Sequence, residues 1–263
     1  MLILLPPSEG KSRPAAGPPL DLPALSLPEL TGARQEVLTA LEHLCSSDPA
    51  RAAQALGLPP TLSDEVHHNA TLRSAHTAPA AAVYSGVLYA ALGLADLAPR
   101  ARRRAEEWVL VSSGLWGAIR LTDPIPAYRL PGGATLPGPG RLATHWRAPL
   151  AAALAARAEG RVVLDLRSGT YAAMWTPPAG SSVVGRVVHE AAGRRTVASH
   201  FNKATKGRLV RALAEGRSEP SSVAGLLRAI RSAGFRAELA AREPDARGRA
   251  TRPPVLDIIV DSL

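Results

Sequence analysis

The sequence predicts an α/β fold, with α+β as the variant, built on a mixed sheet with helices around it. Three short apolar runs carry the strand signal: LILL at 2–5, VVLDL at 162–166 and VLDIIV at 255–260. Each is four to six residues long and rich in aliphatic side chains, which fits strands buried on both faces. Segments of helical periodicity lie between them, and that alternation is the signature of layered α/β architecture.

In chain order, strand 2–5 is stopped by Pro6-Pro7, because proline removes a backbone donor and fixes φ. A proline-rich stretch then runs to Pro28 as loop. Residues 29–44 and 51–56 read as helices, the second ending at Gly57, and 63–69 reads as a third with Ser63 as N-cap candidate. Residues 80–94 form one apolar, alanine-rich stretch. A strand is read at 107–111, followed by the glycine-punctuated SGLWG, and 131–140 (PGGATLPGPG) is turn-rich loop. A helix at 144–159 precedes strand 162–166, and 183–189 with 195–199 have the pattern of a hairpin. Helices at 203–213 and 221–233 precede the terminal strand 255–260. No internal repeat and no interdomain linker are visible.

Composition narrows the function classes. With 46% hydrophobic residues over 263, the chain can bury a full core. No apolar run approaches the ~20 residues needed to span a bilayer. Residues 1–5 are too short for a secretory core and have no basic residues before them. The single cysteine, Cys45, leaves no internal disulfide and no cysteine-based metal cluster. A soluble, reducing compartment is expected. The formal charge is +9, and residues 194–252 hold fourteen Lys/Arg against five Asp/Glu, while the rest of the chain balances at seventeen of each. The excess lies in one quarter of the chain and suggests a polyanionic partner, nucleic acid or a phosphorylated small molecule. Arginine-rich solvated helix faces would give the same count. Only 4% of residues are aromatic, too few for a platform that stacks single strands.

The lysines carry the sharpest signal. The chain has twenty-eight arginines and three lysines, and all three sit in two short motifs: Lys11 in PPSEGK, Lys203 and Lys206 in SHFNKATKGRLVR. A lysine can shed its proton when desolvated or place a compact charge on a phosphate, neither of which a guanidinium does. The first motif is not a nucleotide-hydrolysing phosphate loop. Leu5 stands where that loop needs glycine, and Pro14, Pro18 and Pro19 follow where it needs a helix. What remains is a strand end presenting Ser8, Glu9 and Lys11 from a loop, a favoured place for ligands in α/β sheets.

Three further segments present polar side chains at strand ends. In SGLWGAIRLTDPIPAYRL, Ser113 is followed by Arg120, Asp123, Tyr128 and Arg129. These residues could wall an anion site, or Arg and Asp could pair to hold the loop. The segment lacks the Gly-x-Ser-x-Gly elbow of a hydrolase. In LDLRSGTYAAMW, Asp165 lies inside an apolar strand and Arg167, Ser168 and Tyr171 follow. Such an acid is either paired or functional. In the lysine segment, His200, Asn202, Lys203 and Lys206 precede Arg208 and Arg211, and Lys203 and Lys206 share a face if helical. His67, His68 and His76 lack metal-ligand spacing and read as polar surface residues. No cofactor is implied.

Taken in order, these motifs resemble the YaaA family, the peroxide stress proteins. The match comprises the N-terminal strand-loop with lysine, Tyr84-Ser85-Gly86, Ser-Gly-Leu-aromatic-Gly followed by Arg, Asp and Tyr-Arg-Leu, Leu-x-Ser-x-x-Tyr, and a basic segment ending Gly-x-x-x-Arg. Carried over residue by residue, the resemblance points to Lys11, Arg120, Asp123, Tyr128, Arg129, Ser168, Tyr171, Lys203, Lys206, Gly207 and Arg211. This chain departs from the family pattern at Ala127, at Pro131-Gly132, at Lys203-Ala204-Thr205-Lys206-Gly207 where the family has Lys-Lys-Ala-Arg-Gly, and in an N-terminal loop one residue longer. The resemblance implies one cytosolic domain over 1–263 with a basic cleft and a helix-hairpin-helix element. It also implies a role in peroxide protection through binding double-stranded DNA. A second reading is an enzyme on a nucleotide or nucleoside, for instance one cleaving an N-glycosidic bond. There Lys203 or Lys206 would serve as nucleophile or phosphate anchor, with Asp165 or Asp123 stabilising charge on the sugar. Either way, Lys11, Arg120, Arg167 and Lys203 are expected to line one cleft.

Overall fold

The computed structural model describes residues 1–59, 64–191, 194–197, 202–240 and 253–260. Ser63 and His200, both singled out in the sequence, lie outside the described residues.

Along the chain, β1 (Leu2–Leu5) is followed by α1 (Thr31–Ser47), α2 (Pro49–Leu56), α3 (Asp64–Asn69), β2 (Ala78–Pro79), α4 (Ala80–Val83), α5 (Val87–Leu92) and α6 (Pro99–Trp108). The middle of the chain forms β3 (Val109–Ser113), β4 (Gly117–Arg120), β5 (Pro124–Ile125), β6 (Thr135–Leu136), β7 (Gly140–Arg141), α7 (Leu142–His145), α8 (Arg147–Ala158) and β8 (Val163–Asp165). The last part supplies α9 (Gly169–Ala172), β9 (Ser182–Ala191), β10 (Arg194–Val197), α10 (Asn202–Glu215), α11 (Val223–Ser232), β11 (Arg236–Leu239) and β12 (Val255–Val260).

Eight strands form the main sheet, in the order β11-β12-β9-β8-β1-β3-β4, with β10 paired to β9. The five inner strands β3, β1, β8, β9 and β12 are mutually parallel. The outer strands β4, β10 and β11 run antiparallel to their neighbours. The mixed α/β class predicted from the sequence is therefore observed. The four residues of β1, flanked by β3 and β8 in parallel, are all buried, as a central parallel strand must be. Parallel pairing brings the C-terminal ends of β1, β3 and β8 to one edge, where a crevice can form.

A buried arginine closes the other side of that edge. Arg34 on α1 is fully buried and donates to the carbonyls of Ser26, Trp116 and Ala118. It thereby ties the proline-rich N-terminal loop to the β3–β4 turn, and burial lowers its pKa to about 10. Helix α10 packs on α5 through Gly207, whose added Cβ would lie 2.1 Å from the Leu88 carbonyl oxygen and 2.9 Å from the Leu92 nitrogen. Alanine here gains about 1 kcal/mol of helix propensity, yet a backbone contact of that length forces the helices apart. Gly207→Ala is therefore expected to lower stability by about 1–3 kcal/mol net, read as a fall in the urea midpoint at unchanged m-value. No helix among the described residues is long and apolar enough to cross a membrane.

Candidate functional site

The site lies where β1 ends. Pro6-Pro7 stop the strand and turn Ser8, Glu9 and Lys11 over the sheet edge. Lys11 forms an isolated antiparallel bridge with Tyr84, the Ser12 amide donates to the Val83 carbonyl at 2.8 Å, and Ser85 donates to Gly10. Gly86 has no room for a side chain, since a Cβ would come within 2.2 Å of Ser8 Oγ. The loop is thus clamped onto the 84–86 segment.

The Lys11 amine donates to the Ser8 carbonyl at 2.7 Å and lies 4.4 Å from the centroid of the Tyr128 ring and 5.6 Å from that of Tyr84. It forms no ion pair among the described residues. Burial, and then the neighbouring Arg129 guanidinium, lower its pKa to about 7, against smaller opposing pulls from Glu65 and Glu9. Part of its surface still meets the groove, so the amine is held close to neutrality yet within reach of a ligand.

Three hydroxyls form a chain beneath it. Ser113 Oγ accepts from the amides of Leu115 and Trp116, and lies 2.6 Å from Tyr128 Oη, which lies 2.9 Å from Tyr84 Oη. With both acceptor positions of Ser113 used, its own hydrogen must go to Tyr128. The two phenols share one more hydrogen bond, and one phenolic hydrogen is left over whichever of them donates. Burial raises the pKa of both Tyr84 and Tyr128 well above the ordinary phenol value, so both stay protonated.

Two small cavities share Pro7, Ser8 and Glu9. One, of about 40 Å³, is lined by Lys11, Tyr128, Arg129 and Tyr171. The other, of about 170 Å³, is lined by Gly86, Val87, Leu88, Tyr89 and Lys203. Arg129 is placed by two backbone hydrogen bonds to the Asn69 side chain and lies 3.9 Å from the Glu9 carboxylate. Tyr171 accepts from the Gly132 amide, and its ring packs so closely on Gly132 that a Cβ would come within 2.6 Å. Glycine at 132, where the chain departs from the family pattern, is what admits this ring.

Other predicted residues have structural surroundings. Asp165 and Arg167 form a buried bidentate pair, Nε to Oδ1 at 2.9 Å and Nη2 to Oδ2 at 2.7 Å. Lys206 is buried and donates to the Leu166 carbonyl at 2.9 Å. Burial lowers its pKa, and the nearby Asp165 pulls the other way. Asp165, Arg167 and Lys206 line neither cavity, so Arg167 stands outside the expected shared cleft, held by its carboxylate partner. Asp123 accepts from Ser26 N and Oγ and from the Arg120 amide, which fixes a loop and leaves it lining neither cavity. Arg120 departs from the expected shared cleft. It lines a separate cavity of about 360 Å³ with Met1, Trp108 and Arg161, beside the start of β1, because β4 runs antiparallel and carries its last residue to the opposite edge. Arg211 donates to the Leu92 and Gly93 carbonyls and pairs with Glu215, so it caps α5. Ser168 begins α9 at the surface, Arg208 is exposed on α10, and Asn202 Oδ1 is buried without a partner among the described residues. His68 and His76 each bond a different backbone carbonyl. Among the described residues no group of three His, Cys, Asp or Glu could hold a metal ion.

Sequence reasoning set Glu9 beside Lys11 without giving it a role, gave Tyr84 none either, and missed Tyr89 and Val87. Only the Tyr84-Ser85-Gly86 match hinted at that wall, and nothing local shows that it folds against Lys11.

The fold and site define a mixed-sheet α/β protein with a lysine–tyrosine pocket at the C-terminal edge of its parallel strands. The chain belongs to the family described as peroxide stress protein YaaA, whose profile matches residues 1–240. A UPF0246 protein of Streptomyces coelicolor is 48% identical over 263 residues, covering 99% of this chain and 98% of its own. A UPF0246 protein of Corynebacterium efficiens is 42% identical over 91% of this chain and 95% of its own. One from Cereibacter sphaeroides is 31% identical over 93% and 95%.

Proposed function

We propose that the groove at the C-terminal edge of the sheet binds the phosphates of a nucleic acid, double-stranded DNA in the first instance, in a cytoplasmic peroxide-stress role. The observation that supports this is the convergence of Lys11, Arg129 and Lys203 around one loop, Pro7–Glu9, from segments far apart in sequence. The charge excess counted over residues 194–252 would add a long-range attraction for a polyanion. Not every arginine there is equally available. Arg195 pairs with Glu190 and Glu238, Arg211 with Glu215, and Arg231 donates twice to the Ala237 carbonyl. Arg217 and Arg228 instead line a cavity of about 830 Å³ between α10 and α11. That helical pair, the candidate helix-hairpin-helix element, shares Glu219, Pro220 and Ser221 with the Arg120 cavity beside the start of β1, so it would give a second, separate point of phosphate contact at the opposite edge.

Duplex affinity should then fall with salt by about 0.9 log unit per log unit for each phosphate contacted. Replacing Lys203, Arg217 and Arg228 together by Ala should flatten the slope by about two to three contacts, measured by fluorescence anisotropy. A slope unchanged by the triple substitution, or no binding by wild type at low salt, would reject this surface.

A second reading, an enzyme acting on a nucleotide, is favoured by the near-neutral Lys11 amine above a hydroxyl chain with a spare hydrogen. In that reading the roles move. Lys11 is the reactive amine rather than Lys203 or Lys206, and the exposed Glu9 replaces the engaged Asp165 and Asp123 as the carboxylate facing the sugar.

A further inference from the structure

We propose that Lys11 captures the aldehyde of a phosphorylated sugar as a Schiff base, an inference that rests on the nucleotide-enzyme reading and names its substrate class. The geometry singles out this lysine. Its amine has a strong acceptor only in the Ser8 carbonyl, with Glu9 O at 3.4 Å, and it lines a cavity rather than supporting one. Lys206 is buried and committed to Leu166 O, and Lys203 is exposed on α10, away from the Tyr128 hydroxyl of the Lys11 pocket. A lysine beside a second cation in a desolvated pocket is the usual setting for amine attack on a carbonyl.

Cavity size restricts the partner. One water needs ~10–15 Å³ of such space, so about 40 Å³ admits a carbonyl end of a few atoms and excludes a closed sugar ring. The remainder of the ligand would lie toward the adjoining 170 Å³ cavity, with Arg129 on one side and Lys203 on the other to receive a phosphate. An open-chain aldehyde with a phosphate a few atoms away fits both. Two sources share that chemistry: a free pentose phosphate, and a nucleic-acid strand at a position that has lost its base.

The step balances without an oxidant. The Lys11 lone pair forms a C–N bond, and the carbonyl π pair moves to oxygen. That oxygen takes the leftover phenolic hydrogen of the Tyr84–Tyr128 pair, and the proton leaving nitrogen restores the phenol. The same phenol then gives its hydrogen to the hydroxyl, which departs as water while the nitrogen lone pair forms C=N, and the remaining N–H proton returns to the phenolate. Groups facing the amine are Tyr84, Tyr128 and Tyr171, Arg129, and the carboxylates of Glu9 and Glu65.

The test is reductive trapping with borohydride, using deoxyribose 5-phosphate in one arm and a duplex with a single abasic site in the other. Intact duplex serves as control, and adducts are located by peptide mass mapping. Wild type should give one adduct, on Lys11, with half-maximal yield near pH 7. Lys11→Arg should lose it at least tenfold. Tyr128→Phe should slow its formation at least tenfold without lowering the final yield. Adduct in the first arm alone assigns a free sugar phosphate, and in the second alone a damaged strand. No adduct in either arm, or equal labelling of Lys11, Lys203 and the N-terminus, overturns the proposal even if a variant fails to fold, because wild type alone decides it. Base release from nucleotides without any adduct would leave the enzyme reading standing and remove only the Schiff base.

Discussion

Asp165→Ala is expected to destabilise the protein by about 3–5 kcal/mol, enough to threaten folding at ordinary temperature. Asp165 and Arg167 are both nearly inaccessible, and the carboxylate also accepts from the Arg167 amide at 3.0 Å. Removing it leaves a guanidinium buried with only the Tyr171 and Trp175 carbonyls for company. Lys206 simultaneously loses the one nearby charge that favours its protonated form. The double variant Asp165→Ala/Arg167→Met takes away both charges. It should recover part of the loss, since an apolar pair costs less than an orphaned ion. Urea unfolding of the three proteins measures this directly. A loss below 1 kcal/mol for Asp165→Ala would show that the pair is solvated, and would reopen Asp165 as a residue available to a ligand.

That result bears on how much of the molecule could be read from its sequence. The buried strands were legible because their composition is local: LILL and VLDIIV coincide with β1 and β12, VVLDL contains β8, and the 183–189 and 195–199 pairing appears as β9 with β10 up to Val197, with 198–199 outside the described residues. Helix α6 was not read, because its buried residues are only Ala101, Ala105 and Trp108 and the apolar stripe is faint. Glu107, which reads as the start of a strand, lies in its last turn. The apolar stretch 80–94 shows no element type in its sequence. It is broken between α4 and α5 because Tyr84 bridges Lys11 and Gly86 lies against Ser8, contacts with a segment some 75 residues earlier. The reversal of β4 that carries Arg120 away from the site is a property of sheet order, which no local pattern encodes. For the site itself, lysine scarcity marked Lys11. Its near-neutral amine could not be foreseen, because the rings and the guanidinium that produce it come from Tyr84, Tyr128 and Arg129. Asp165 shows the converse. The sequence left it either paired or functional, and only the position of Arg167 decides between them.

Stability should rise with pH from about 7 to about 10 and fall beyond that, and Lys11 should be the main reason for the rise. Its pKa is lowered to about 7 in the fold and is about 10.4 in an unfolded chain. Between those values the unfolded state binds one more proton than the native state, so raising the pH favours the native state. The full effect would be about 1.4 kcal/mol per pH unit. Roughly 1 kcal/mol per unit is expected once the solvent that still reaches the side chain is allowed for. Lys206, lowered in the same direction by burial, adds to the slope. Above pH 10 the sign reverses. Tyr84, Tyr89 and Tyr128 keep their protons in the fold, whereas unfolded phenols lose theirs. Lys11→Met removes the titrating group while keeping the length of the side chain. It should therefore flatten the rise between pH 7 and 10, and make the protein more stable than wild type at pH 7 by about 1–3 kcal/mol. Urea midpoints at pH 7, 8, 9 and 10 for the two proteins make the comparison. If wild type shows no rise, or Lys11→Met is the less stable of the two at pH 7, the amine is an ordinary solvated ammonium. If both expectations hold, the fold carries a destabilising lysine that packing does not require, and a chemical role for that lysine is what accounts for it.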